Sequence, residues 1–138
     1  MSGLKVLITN FRLATLTGTE LYVRDVALSL LEHGHTPIIY SPLPGKLAND
    51  LSRSVTVLDH LDKDTSVPDV IHGHQLKETM VALLNFPGVL YCRPGSIRTW
   101  NKIKRCPVYA ACYRYSQYLY NRMKYRTGSR EIHYRVFY

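Results

Sequence analysis

The sequence has little of three features that would each place it in a particular class of protein. It contains no run of about 18 apolar residues, so we predict no transmembrane helix. The N-terminus has no small-residue cleavage site after its apolar segment, so we expect no signal peptide. It has three cysteines, an odd number that favours reduced thiols over a disulfide framework. We therefore expect a cytoplasmic protein.

Acidic residues are also scarce, but only in the last third of the chain. Residues 1–90 carry 7 Lys and Arg against 9 Asp and Glu, a net charge of −2. Residues 91–138 carry 11 Lys and Arg against 1 Glu, a net charge of +10, and 9 of the 11 tyrosines. Two segments that differ this much need separate interpretation.

Apolar runs alternate with amphipathic segments through residues 1–92. Near-continuous apolar runs are typical of parallel strands covered on both faces, and they predict strands at Leu4–Thr9, Ile38–Tyr40, Val55–Leu58, Val70–His72 and Val89–Cys92. Helical periodicity predicts helices at Leu21–His33, Lys46–Arg53 and Leu76–Leu84. This alternation predicts an α/β fold with a doubly wound, mostly parallel sheet.

Local signals refine two of these helices. Thr17 or Thr19 can cap the start of the first helix, and Gly34 is its natural stop. The apolar side of the third predicted helix consists of Leu76, Met80, Leu83 and Leu84.

The carboxyl ends of the strands are the expected place for a ligand, as in other open α/β sheets. This rule selects Asn10 and the loop through Thr19, Ser41, the tripeptide His72-Gly73-His74, and Arg93. We expect these groups to meet at one rim of the sheet. The end of the second strand lacks the acidic residue that would hold a ribose, which argues against NAD or FAD.

The loop Thr17-Gly18-Thr19-Glu20 leads into the first helix. Its glycine lets the backbone approach a ligand, and the free N–H groups of a helix start favour phosphate. The pattern is neither a dinucleotide fingerprint nor a Walker loop. A capped helix with a turn glycine is therefore an equal alternative.

The tripeptide His72-Gly73-His74 places two histidines on the same side of a strand if the strand continues. A metal site needs three or four ligands, and no nearby Cys or Asp completes such a set, so we predict no bound metal. An imidazole at this place can donate a hydrogen bond to a substrate hydroxyl. The alternative is a strand end with solvated imidazoles.

The phrase from Pro68 to His74, together with the loop at residues 17–20, resembles the N-terminal half of GT-B glycosyltransferases of the family-4 type. In that family the corresponding histidines line the acceptor side of the cleft between two domains. The resemblance implies sugar transfer from a nucleotide-sugar donor to an acceptor hydroxyl, with no cofactor beyond these substrates. It implies catalytic roles for His72 and His74. Together with the rule that ligands bind at the carboxyl ends of the strands, it indicates a set of candidate substrate-binding residues: Asn10, Thr17, Gly18, Thr19, Glu20, Gly73 and Glu78.

The resemblance covers about residues 4–92 and then stops. A histidine of the reaction centre usually follows the fifth strand in this family, but Arg93 stands there in this chain. The second Rossmann-like domain, which carries most donor contacts, has no counterpart in the sequence. We therefore expect 1–92 to be a partial N-terminal domain that is inactive alone, and 93–138 to be a basic tyrosine-rich tail.

The tail allows further hypotheses. It is irregular in pattern, with a helix predicted over 108–125 and a strand over His133–Tyr138. The alternative function is a small flavodoxin-like binding module whose tail binds nucleic acid or an anionic membrane surface. The tail has no RRM, KH, zinc-finger or helix-turn-helix signature, which disfavours specific nucleic-acid binding.

A shift of reading frame near codon 92 would explain both the break and the unusual tail. Degenerate back-translation of Cys106–Ala111 in the neighbouring frame permits Pro-Arg-Ile-Arg-Arg, a run that is common at this point in the family. The sequence alone leaves a native tail and a shifted frame as alternatives.

Overall fold

The computed structural model describes residues 3–92, which lie within one compact unit, Met1–Pro94. The predictions for Arg93, for the helix over 108–125 and for the strand over 133–138 concern residues outside the described range. Within it the chain forms β1 (Lys5–Thr9), β2 (Arg12–Leu13), α1 (Gly18–Glu32), β3 (Thr36–Tyr40), β4 (Leu43–Pro44), α2 (Lys46–Leu51), β5 (Thr56–Leu58), β6 (Val70–Gly73), α3 (Leu76–Asn85) and β7 (Leu90–Cys92). None of these helices is long and apolar enough to span a membrane.

The main sheet has five parallel strands in the order β5-β3-β1-β6-β7. When these five strands are numbered along the chain the order is 3-2-1-4-5, which is that of a Rossmann-like sheet. The predicted α/β, doubly wound, parallel architecture is confirmed. A flavodoxin-like sheet has the order 2-1-3-4-5, so the flavodoxin-like fold of the alternative hypothesis is wrong. The strand order reverses between β1 and β6, which makes that pair the switch point.

Both faces of the sheet are buried, which explains why its strands are apolar runs. Leu7, Ile38 and Ile71 lie in one cluster with Ala82 and Phe86, so they face α3. The residues that alternate with them along the strands face the opposite side, where α1 lies. Val6 and Ile8 of β1 and Val23, Val26, Ala27 and Leu30 of α1 are buried.

Helix α1 begins three residues earlier than the sequence pattern predicts. Thr17 is the residue before its first turn, and the Leu21 N–H donates to the Thr17 carbonyl at 2.9 Å. No side-chain hydrogen bond caps this end, so the capping hydroxyl predicted for Thr17 or Thr19 does not act as a cap. The predicted stop is confirmed, because Gly34 has a φ of +79°, which favours glycine.

Helix α3 corrects a prediction about its apolar side. Leu76 and Leu84 are each 76% exposed and Met80 is 47% exposed, whereas Thr79 and Ala82 are buried. The physical reason lies in β6, where a Cβ added to Gly73 would collide with the Thr79 side chain. The helix therefore approaches the strand closely at Thr79, while Leu83 of the predicted apolar side is partly buried against the core.

The short pair β2 and β4 is a feature that the sequence pattern does not predict. Arg12 and Leu13 pair with Leu43 and Pro44 in parallel, joining the loop after β1 to the loop after β3. Leu13 of this pair is fully buried. Two-residue strands are too short to show a hydrophobic period, which is why the segment reads as a loop.

Candidate functional site

The ends of three strands are joined at one rim through the backbone of Phe11. The Phe11 N–H donates to Oε1 of Gln75 at 2.7 Å, which links the end of β1 to the segment after β6. The Ser41 hydroxyl donates to the Phe11 carbonyl at 3.2 Å, which adds the end of β3. The structure thus brings Asn10, Ser41 and the histidine segment to the same rim, as the strand-end rule predicts.

His72 and His74 project to the side of the sheet that α1 covers. Their ring centroids lie 4.9 Å apart in an edge-on arrangement. Tyr22 of α1 completes the cluster, with its ring centroid 5.0 Å from that of His74 and 6.4 Å from that of His72. The prediction that both histidines point to one side is confirmed, and Tyr22 is a member that the sequence pattern does not reveal.

Both imidazoles are held in the neutral form. Burial lowers the pKa of His72 to about 4. Burial also lowers the pKa of His74 well below its ordinary value, and the neighbouring His72 adds to that effect. A neutral imidazole offers one N–H donor and one nitrogen acceptor. At neutral pH the pair can therefore hydrogen-bond to a ligand without carrying charge.

Asn10 lies beside this cluster and is fixed by its own loop. It is 1% exposed, and its Nδ2 donates to the Arg12 carbonyl at 2.7 Å. The side-chain oxygen Oδ1 of Asn10 and the Nε2 of His74 are both buried and have no hydrogen-bond partner among residues 3–92. Buried polar atoms in native proteins are nearly always bonded. These two atoms therefore mark the place where a ligand or a water is expected.

The backbone at His74 is positioned by two buried threonines. The Oγ1 of Thr9 accepts a hydrogen bond from the His74 N–H at 3.3 Å and lies 3.1 Å from the Oγ1 of Thr79. Gly73 lets Thr79 approach this closely, since a Cβ there would collide with Thr79 and Tyr91. Sequence reasoning missed Thr9 and Thr79, although Thr9 ends a strand at the rim.

The predicted substrate-binding loop is held in place by Glu20. This carboxylate is 2% exposed, accepts hydrogen bonds from the Thr15 backbone and from the Thr15 hydroxyl at 3.1 Å, and lies 3.3 Å from Nε of Arg12. The Glu20 carboxylate therefore stabilises the conformation of the loop and does not face a ligand. Thr17, Gly18 and Thr19 remain exposed at the start of α1.

Glu78 lies on the other side of the sheet from the two histidines. It is buried near Tyr40. The pKa of the Tyr40 phenol is raised, first by the burial of Tyr40 itself and second by the negative charge of Glu78. Tyr40 belongs to the cluster beneath α3, whereas His72 and His74 contact Tyr22 of α1. A strand alternates its side chains between faces and α3 covers only one of them, so the support of the histidines by Glu78 stays a prediction.

A metal site is not formed by the part of the chain that the structure describes, which contains no suitable group of three His, Cys, Asp or Glu.

Comparisons with protein-family models, with curated proteins and with solved structures give no match to this chain.

Proposed function

We propose that residues 1–92 form the N-terminal, acceptor-side domain of a GT-B glycosyltransferase of the family-4 type. The intact enzyme transfers a sugar from a nucleotide-sugar donor to an acceptor hydroxyl in the cleft between two domains. The observation that carries the proposal is the placement of His72, His74 and Asn10 together at the carboxyl end of the switch point. Ligands of open α/β sheets bind at this location.

The electrostatics of the cluster favour an orienting role for the histidines. A His72 with a pKa of about 4 is a weak base at neutral pH. General-base catalysis is most efficient when the pKa lies near the working pH. We therefore assign His72 and His74 to binding and orienting the acceptor rather than to removing its proton.

The start of α1 supplies the other half of the proposed site. Thr17, Gly18 and Thr19 are exposed there, and a Cβ added to Gly18 would meet no atom within 4 Å. The first N–H groups of a helix carry partial positive charge and favour phosphate. In the proposed enzyme this loop faces the donor across the cleft, while Glu20 keeps its shape.

The donor-binding domain of such an enzyme has no counterpart in residues 1–92, so we propose that the domain is inactive alone. Peripheral membrane association and any role of the basic segment rest on residues 93–138, outside the described range.

The test is a transfer assay on the product of the gene after the single-base change near codon 92 that the frame-shift hypothesis predicts. The product is incubated with UDP-, GDP- and ADP-sugars and a panel of sugar acceptors, and release of nucleoside diphosphate is followed. The proposal expects release that depends on an acceptor and that falls in His74→Ala. Acceptor-independent release that His74→Ala leaves unchanged would contradict it, and Thr36→Ala, at an exposed residue of β3, is the matched control.

A further inference from the structure

We propose that Tyr22 is a positioning residue of the candidate site. Its ring, together with that of His72, fixes the plane of the His74 imidazole and therefore the direction in which the buried Nε2 of His74 points. The inference deepens the proposed function and rests on it only for the identity of the ligand. It adds a residue of α1 to a site that the sequence pattern places at strand ends.

The backbone gives the His74 side chain little support. Strand β6 ends at Gly73, so His74 is the first residue beyond the ladder that pairs β6 with β1. Its N–H donates to Oγ1 of Thr9 at 3.3 Å, which is longer than usual for such a bond. The Nε2 of its ring has no hydrogen-bond partner among residues 3–92. The orientation of the imidazole therefore depends on the groups that the ring contacts.

The rings of Tyr22 and His72 both contact the His74 imidazole edge-on and at nearly equal distances. The Tyr22 centroid lies 5.0 Å from that of His74, with 66° between the ring planes, and the His72 centroid lies 4.9 Å away, with 74°. The rings of Tyr22 and His72 are inclined to each other by only 24°. Edge-to-face contacts at such distances are favoured between aromatic rings. Rotation of the His74 ring about χ2 would break both contacts, so together they hold its plane.

Tyr22 can hold a neighbouring ring because its helix is fixed on both sides of it. Two positions earlier, the buried carboxylate of Glu20 is paired with Arg12 of the preceding loop. One and four positions later, Val23 and Val26 are buried. Side chains whose own positions are locked by packing are the ones that can orient a functional group precisely.

Packing that serves stability alone is the competing interpretation of the three rings. In that case the loss of the Tyr22 ring lowers the melting temperature but leaves the His74 imidazole as it is in the folded chain. The proposal predicts instead that the state of the His74 ring changes while the chain is still folded. A spectroscopic measurement on His74 separates the two.

The experiment is NMR on the full 138-residue chain with ¹⁵N-labelled histidines, at about pH 8, where free imidazoles are neutral. A long-range ¹H–¹⁵N spectrum gives the separation of the two ring nitrogens, which is wide for a single tautomer and narrow for an exchanging pair. His74→Gln identifies the His74 signals. We expect a wide separation in the unaltered chain and in Tyr22→Phe, which keeps the ring. We expect loss of that separation in Tyr22→Leu, toward the value in the urea-unfolded chain.

Leu31→Ala, at an exposed leucine of α1, is the matched control and keeps the separation. Thermal unfolding of each variant shows the temperature range in which all of them are folded. An unchanged separation in folded Tyr22→Leu overturns the proposal, because the His74 ring then keeps its state without Tyr22. Equal losses in Tyr22→Phe and Tyr22→Leu also overturn it, because the hydroxyl rather than the ring is then responsible.

A measurement on the unaltered chain keeps the proposal testable if Tyr22→Leu does not fold. Edge-on contact predicts nuclear Overhauser effects between ring protons of Tyr22 and ring protons of His74. Their presence, with a wide separation of the His74 ring nitrogens, supports the proposal, and the absence of either overturns it.

The two proposals fail separately. If the His74 signals respond as expected but the product of the gene after the single-base change transfers no sugar, the proposed function falls and the positioning role stands. In an active enzyme Tyr22→Leu should raise the KM for the acceptor about fivefold, the weight of one aromatic contact, and leave the KM for the donor unchanged. If the enzyme transfers sugar and the acceptor KM does not change, the positioning role falls and the proposed function stands.

Discussion

The hydroxyl oxygens of Thr9 and Thr79 lie 3.1 Å apart in a buried contact between β1 and α3, although 70 residues separate them in sequence. Thr9 also accepts the hydrogen bond from the His74 N–H. The two threonines therefore couple the position of α3 to the backbone of the candidate site.

Thr79→Val keeps the shape of the side chain and removes its hydroxyl. We expect the free energy of unfolding to fall by about 1 kcal/mol, because a buried hydrogen bond is lost. The amide resonance of His74 should also move. Urea denaturation and NMR measure the two effects. Thr36→Val is the control at an exposed threonine, and equal stability of the two variants would contradict the role assigned to Thr79.

Glu20→Gln tests whether the carboxylate shapes the loop of residues 12–17. The change weakens the hydrogen bonds from Thr15 and removes the charge opposite Arg12, so we expect a loss of about 1–3 kcal/mol. The loop should also be cut faster by trypsin at Arg12. Glu32→Gln, at the exposed end of α1, should change neither property. An unchanged cleavage rate in Glu20→Gln would show that the loop holds its shape without this residue.

The buried histidines predict loss of stability in acid. The pKa of His72 is about 4 in the folded chain and roughly 6.5 in the unfolded chain. Between these values the unfolded state binds more protons, so the free energy of unfolding falls as pH falls from about 6.5 toward 4. His74, whose pKa is also lowered, acts in the same direction.

His60 is the control for this pH dependence. Its pKa is raised by Asp59 and then Asp62, so its contribution is present at low pH and is lost as pH rises through its folded pKa, the opposite sign. His72→Gln should flatten the acid limb of a stability–pH profile, and His60→Gln should leave that limb in place. An acid limb that survives in His72→Gln and in His74→Gln would contradict the assignment.

Two glycines of the site have opposite expected responses to alanine. A Cβ at Gly73 would collide with Thr79 and Tyr91, so Gly73→Ala should cost about 1–3 kcal/mol through overpacking. Gly18 begins α1 with open space around it, so Gly18→Ala should be neutral or stabilise by up to about 1 kcal/mol. Thermal unfolding of both variants gives the comparison, and similar melting temperatures would contradict the packing described for β6 and α3.

Much of the fold could be predicted from the sequence because its strands are buried on both faces. Apolar runs such as Lys5–Thr9 and Val70–Gly73 therefore stand out, and the strand-end rule then places Asn10 and His74 at one rim. The face of the sheet on which Glu78 lies could not be predicted, because sequence spacing does not say which face a following helix covers.

Tertiary contacts account for what the pattern missed. The sequence pattern assigns Leu76 and Met80 to the buried side of α3 because they are apolar. In the structure they are exposed, and Thr79 and Ala82 are buried on the side that approaches Gly73. The sequence pattern predicts only that Tyr22 belongs to a helix. Its position beside the two histidines depends on the packing of α1 against β6.

The nucleotide sequence of the gene through codon 92 and about one domain's length beyond tests the central claim most directly. The account predicts that a single-base change opens a frame that continues into a second Rossmann-like domain. A gene in which no single-base change opens such a frame, and which has no such domain after codon 92, would contradict the assignment of this chain to a two-domain glycosyltransferase.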